Sequence, residues 1–134
     1  MRVRWYLVAA GLLGCAANGF AASPRDADFM LGTWTSEGVC TRSEEYGRQG
    51  GQYTSTTYGK VYVGSIDPTN DGFNTSFRSA DGASKEYVLR YENENRVRVM
   101  FAKLCESPTG RLFPGKCTVV RLDDVEFYYQ RCAE

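Results

Sequence analysis

The chain contains no histidine in its 134 residues. That removes the commonest general base and the side chain that shuttles protons near neutral pH. Ser-His-Asp and Cys-His nucleophilic sites cannot be assembled from it. Paired carboxylates are the remaining route to acid–base work, and two adjacent pairs occur, Glu44-Glu45 and Asp123-Asp124. Neighbouring acids in a strand or turn are solvated surface far more often than a catalytic couple. No catalytic residue is assigned, and a non-enzymatic role is expected. Asp67-Pro68-Thr69-Asn70-Asp71-Gly72 places oxygens and a turn glycine as the first half of a calcium loop does. Arg78 stands where the closing bidentate glutamate belongs, so these residues read as a β-turn. A zinc site would want a Cys-x-x-Cys pair or histidine, and neither is present. No metal and no cofactor are expected.

Aromatic residues are the richest source of binding chemistry. Nine tyrosines and seven phenylalanines are many for this length, and Tyr53, Tyr58 and Tyr62 cluster in one stretch. Read as one long strand, that stretch puts Tyr58 and Tyr62 on a face with Lys60 and turns Tyr53 the other way. Such tyrosines either stabilise a sheet through cross-strand pairs or line a binding edge. The charge is balanced, with 16 basic and 16 acidic residues and no basic stripe, so neither nucleic acid nor an anionic membrane surface is indicated.

The first 22 residues read as an export signal. Arg2 and Arg4 precede a short apolar run, Trp5 to Leu13, and small residues follow to Ala22. The run is shorter than the roughly 20 apolar residues a membrane-spanning helix needs. Cleavage after Ala21 or Ala22 would release a periplasmic or secreted domain over 23–134. Leu12-Leu13-Gly14-Cys15 also resembles a lipobox, in which Cys15 would carry a lipid anchor. Removing 1–22 takes two of the 16 basic residues and none of the acidic ones, leaving a domain that is net acidic by two.

Cys40, Cys105, Cys117 and Cys132 remain beyond the signal. An even number in a small exported domain implies two disulfides, with three connectivities open. The expected pairing is Cys105–Cys117, closing the loop 106–116, together with Cys40–Cys132, tying the first strand to the last.

The elements that would position these residues are strands. Tyr87, Leu89 and Tyr91 alternate with polar neighbours, as do Val97, Val99 and Phe101, and then Phe127 and Tyr129. Period-two alternation gives each strand one core face and one wet face. Asp71-Gly72 and Asp81-Gly82 mark hairpins because that pair tolerates positive φ. The pattern predicts strands near 32–42, 52–66, 73–79, 84–92, 96–104, 117–122 and 125–131. The second is long enough to count twice, with Gly59 and Gly64 as bending points, while 47–57 begins as a polar loop. Hairpin after hairpin without crossover helices predicts an all-β fold, a small up-and-down antiparallel barrel of about eight strands.

Phe29-Met30-Leu31-Gly32-Thr33-Trp34-Thr35 resembles the opening of the lipocalin and lipocalin-like (calycin) barrels. The resemblance implies a tryptophan, Trp34, that closes the barrel floor against an arginine from the final strand, Arg131 or Arg121. Haem-binding proteins with a similar opening use a histidine ligand, which this chain lacks, so such haem ligation is excluded. Ser79 to Tyr87 is similar to the Ser/Gly/Ala…Tyr loop of periplasmic C-type lysozyme inhibitors. That likeness implies Ser84, Lys85 and Tyr87 as residues inserted into an enzyme cleft.

Two functions are therefore expected in turn. The first is a lipocalin-like protein holding a small apolar or amphipathic ligand against Trp34, Tyr58, Tyr62, Phe73, Phe77, Tyr87, Leu89, Val99, Phe101 and Phe127. The second is a module that binds an envelope protein through the loops 79–85 and 106–116. The sequence sets no oligomeric state.

Overall fold

A computed structural model describes residues 26–36, 38–122 and 124–133. The expected export segment, with Cys15, lies outside the described residues, as does Asp123.

A short 3-10 turn, Ala27–Met30, opens the fold, capped by the Asp26 carboxylate accepting from the Asp28 amide. Among the described residues nine strands follow: β1 (Gly32–Thr35), β2 (Glu44–Gln49), β3 (Gln52–Thr57), β4 (Lys60–Pro68), β5 (Gly72–Ser79), β6 (Ser84–Asn93), β7 (Arg96–Cys105), β8 (Cys117–Arg121) and β9 (Tyr128–Arg131). Each pairs antiparallel with its neighbour in sequence through β8, and β9 returns to pair with β1. β8 and β9 both lie along the free edge of β7, β8 against Phe101–Cys105 and β9 against Arg96–Arg98. Nine segments thus fill the eight positions of a closed barrel, which leaves few edges open to unwanted pairing.

The expected eight-stranded barrel is present, but its strands are drawn differently along the chain. Residues 44–49, where no strand was expected, form β2. The last two expected strands share one barrel position. The long strand at 52–66 is a hairpin, because Tyr58 and Gly59 both take positive φ and make a two-residue turn between Thr57 and Lys60. That turn changes which residues share a face. Tyr53 and Tyr62 both sit in the inward phase, and Tyr58 leaves the sheet at the turn with 81% of its surface exposed. β1 is also shorter than expected, ending at Thr35.

Gly64 and Gly72 have a packing role. A Cβ at Gly64 would lie 1.8 Å from the Ser76 carbonyl oxygen, and one at Gly72 would lie 1.9 Å from that of Leu89. Gly72 therefore begins β5 as a close-contact residue, and its partner Asp71 supplies the turn.

The core fills the middle and one end of the barrel. Phe29 and Met30 of the 3-10 turn are buried with Trp34, Phe73, Phe77, Leu89, Val97 and Val99. The Phe29 ring stacks on Phe73 at 5.7 Å and meets Tyr91 edge-on at 5.4 Å. Burying a large apolar side chain in this way contributes about 1.5–3 kcal/mol. The Trp34 indole donates to the Met30 carbonyl at 2.9 Å, and the Arg131 guanidinium lies 4.3 Å from its ring. Arg131 also donates to the Phe29 and Leu31 carbonyls, so the last strand locks the entering chain across the closed end. Arg121, the other candidate, lies instead over Phe101.

Both expected disulfides form, Cys40–Cys132 and Cys105–Cys117. The first joins the loop after β1 to the end of β9. The second is a cross-strand bridge between paired residues of β7 and β8.

Candidate functional site

Successive residues of a strand point to opposite faces, so a charged residue in phase with buried apolar ones must enter the barrel. Two do. Glu44 pairs in register with Trp34 and shares the phase of Tyr46, while Lys85 shares that of Tyr87 and Leu89. Both are buried, and the Lys85 ammonium donates directly to Glu44 Oε2. Glu44 also accepts from the Tyr46 hydroxyl at 3.0 Å and the Ser55 hydroxyl at 2.7 Å. Lys85 donates a second bond to Thr57 Oγ1 at 3.1 Å and lies 4.3 Å from the Tyr62 ring centroid. Buried charges persist when they are paired and hydrogen-bonded in this way.

Burial holds the Lys85 ammonium below its ordinary pKa even with Glu44 beside it. Tyr46, Tyr87 and Tyr129 are pushed the other way, first by burial and then by the Glu44 charge. At neutral pH these phenols are therefore un-ionised hydrogen-bond donors.

The pair lies in the wall of a cavity of about 510 Å³ at the end of the barrel opposite the 3-10 turn. The end of β1, the start of β2, the β3–β4 turn, the start of β6 and the end of β7 all converge there. Rings of Trp34, Tyr58, Tyr62, Tyr87 and Tyr129 and the side chain of Leu104 supply its walls, and Arg42 and Lys60 join Lys85 as cations. The rim is braced. Lys60 bonds Asp81 at 3.0 Å, and the Asp81 carbonyl accepts from the Ser107 hydroxyl at 2.6 Å, joining three loops of the open end.

Of the residues expected to line a pocket, Trp34, Tyr58, Tyr62 and Tyr87 meet at this cavity. Phe73, Phe77, Leu89 and Val99 are packed in the core below it. Phe101 faces outward, which corrects its expected place. Leu89 pairs with Val99 but Val88 with Phe101, so Met100 is an extra residue, and this β-bulge reverses the phase of β7. Ala102 and Leu104 take the inward positions instead. Phe127 lies in the partly exposed segment between β8 and β9, beside Tyr129. Lys85 and Tyr87 point into the barrel and are buried, so they are not presented as an inserting loop, while Ser84 is half-buried at the start of β6. Glu44, Tyr46 and Tyr129 were missed as site residues. The available signal was the charge at Lys85, in the phase of Tyr87 and Leu89 within an expected strand.

Asp67 lies in β4 one residue before its end, Asp71 precedes β5, and the Thr69 amide donates to the Gly72 carbonyl across the turn between them. Among the described residues no cluster of three or more histidine, cysteine, aspartate or glutamate side chains is arranged to hold a metal. Comparisons with protein-family models, curated proteins and solved structures find no match. The fold and the cavity thus define only a class, a closed antiparallel barrel with an open, ring-walled end.

Proposed function

We propose that this protein is an exported, non-catalytic binding protein that takes a small amphipathic molecule into the open end of its barrel. The cavity of about 510 Å³ carries the proposal, because its walls are aromatic while one side holds the Glu44–Lys85 pair. Sites for small molecules typically combine such apolar walls with a few placed polar groups. The Trp34–Arg131 contact supports the likeness to lipocalin-like barrels. The two disulfides fit an oxidising compartment, periplasmic or extracellular, whether the chain is released or anchored through Cys15.

Calorimetric titration with decanol, 2-naphthalenemethanol and 2-naphthoate tests this reading. Binding of at least one probe is expected, and a Leu104→Trp substitution, which sets an indole at the cavity mouth, should abolish it. Failure of every probe, or binding indifferent to Leu104→Trp, would overturn it.

A second reading, contact with an envelope protein, draws on the loop 106–116. Its ends are joined by Cys105–Cys117, Ser107 accepts backbone bonds from Gly110 and Gly115, and Leu112 is 83% exposed at its tip with Phe113 beside it. A pre-ordered apolar tip suits a protein groove. Inhibition of a C-type lysozyme, lost on Leu112→Ser/Phe113→Ser, would favour this reading over the first.

A further inference from the structure

We propose that two copies of this chain associate edge to edge through β8, antiparallel about Val119, joining the two barrels in one continuous sheet.

Strand β8 differs from the other described strands in being exposed at every residue, Cys117 to Arg121. Among the described residues it pairs with β7 alone, whereas β9 is held between β7 and β1. β1 ends at Thr35, and no described strand continues the wall beyond β8. Thr118 and Val120, paired with the inward residues Leu104 and Ala102, are therefore still in water.

The backbone identifies which groups are open. Leu122 donates to the Met100 carbonyl and Glu106 to that of Lys116, one bond beyond each end of the β7–β8 ladder. Antiparallel bonding alternates along a pair, so Thr118 and Val120 spend their amides and carbonyls on β7. Those of Cys117, Val119 and Arg121 point along the free edge, and such a row is a template for another strand.

This row fits itself. With Val119 of one copy opposite Val119 of the other, Cys117 falls opposite Arg121, so the three open residues of each edge meet the three of its mate. A two-fold interface requires that self-complementarity. On one face the two Val119 side chains meet at the axis, each 53% exposed in the single chain, and on the other Val120 meets Thr118. Covering these valines favours association. The charges agree with the same register. Arg121 has no cation directly opposite, and Lys116 comes level with Leu122 of the other copy, two residues from Asp124.

Sedimentation equilibrium of the purified protein tests the proposal. A reversible dimer with a Kd between about 1 μM and 1 mM is expected, as for a small interface. Val119→Lys and Val119→Asp each set like charges face to face at the axis, and each variant alone should be monomeric over that range. An equimolar mixture of the two should dimerise again, which also shows that both are folded. Val61→Lys, at an exposed valine of β4, should leave the equilibrium unchanged. A protein that stays monomeric up to about 1 mM, a dimer that survives both Val119 substitutions, or a mixture that fails to reassociate would overturn the proposal. Monomers that bind an unrelated extended peptide along β8 would overturn it too, by assigning the edge to another protein.

Discussion

Removing either partner of the Glu44–Lys85 pair would strand the other charge inside the barrel, away from water. Glu44→Gln alone or Lys85→Met alone should therefore cost about 3–5 kcal/mol, measured by urea unfolding. The double substitution should recover most of that loss, because the cost lies in the uncompensated charge and not in the absence of a salt bridge. Single losses below about 1 kcal/mol would mean that the groups are solvated. The same residues explain why the tyrosines around them matter. Tyr46 and Ser55 complete the hydrogen bonding of Glu44, so the carboxylate is held in one position and Lys85 with it. At this scale the sequence was readable in part. The charge at 85 shared the phase of Tyr87 and Leu89 in an expected strand, but no strand was expected at 44, and the meeting of the two charges was not visible, since 41 residues separate them.

Among elements, the turns of the open end depend on one another through Asp81. Its carboxyl is lowered from the usual 3.8 to about 2, chiefly by the Ser79 hydroxyl and then by Lys60 and the Ala83 amide. A carboxyl lowered in the folded state stabilises the fold fully above its ordinary pKa, and that contribution disappears as pH falls through the folded value. Melting temperature followed from pH 4 to about pH 2 should accordingly fall less steeply in Asp81→Asn than in the unaltered protein. Identical slopes would show that the rim bonds do not form in solution. Strand existence was largely legible here, because alternation from Phe73 to Phe101 matches β5, β6 and the first half of β7. Strand phase was not. A bulge at Met100 and a two-residue turn at Tyr58-Gly59 each move side chains between faces without changing composition or local polarity.

The whole molecule closes through its last strand. β9 brings Arg131 over Trp34, and the Cys40–Cys132 bridge secures the same junction across a sequence separation of 92, against 12 for Cys105–Cys117. Cross-links that close longer loops restrict the unfolded chain more, by about 2 kcal/mol for this difference in the chain-entropy model. Cys40→Ser/Cys132→Ser should thus lower unfolding free energy more than Cys105→Ser/Cys117→Ser. The reverse order in denaturant titrations would place the closure energy elsewhere. Loss of the short bridge should instead loosen the loop with Leu112 and Phe113 while leaving the barrel closed.

Residue types and short-range spacing by themselves determined the absence of histidine chemistry, the strand-forming alternation, the turns at Asp71-Gly72 and Asp81-Gly82 and an even set of four cysteines. These are local properties, carried by one residue or by neighbours within a single strand. Tertiary structure alone decided that Phe101 faces out, that β8 and β9 share one barrel position, and that Phe73, Phe77 and Leu89 pack as core. It also decided that two inward charges from distant strands meet in an aromatic cavity at the open end. Each of those outcomes depends on the register of strands far apart in sequence, which closure of the barrel sets and no local pattern encodes.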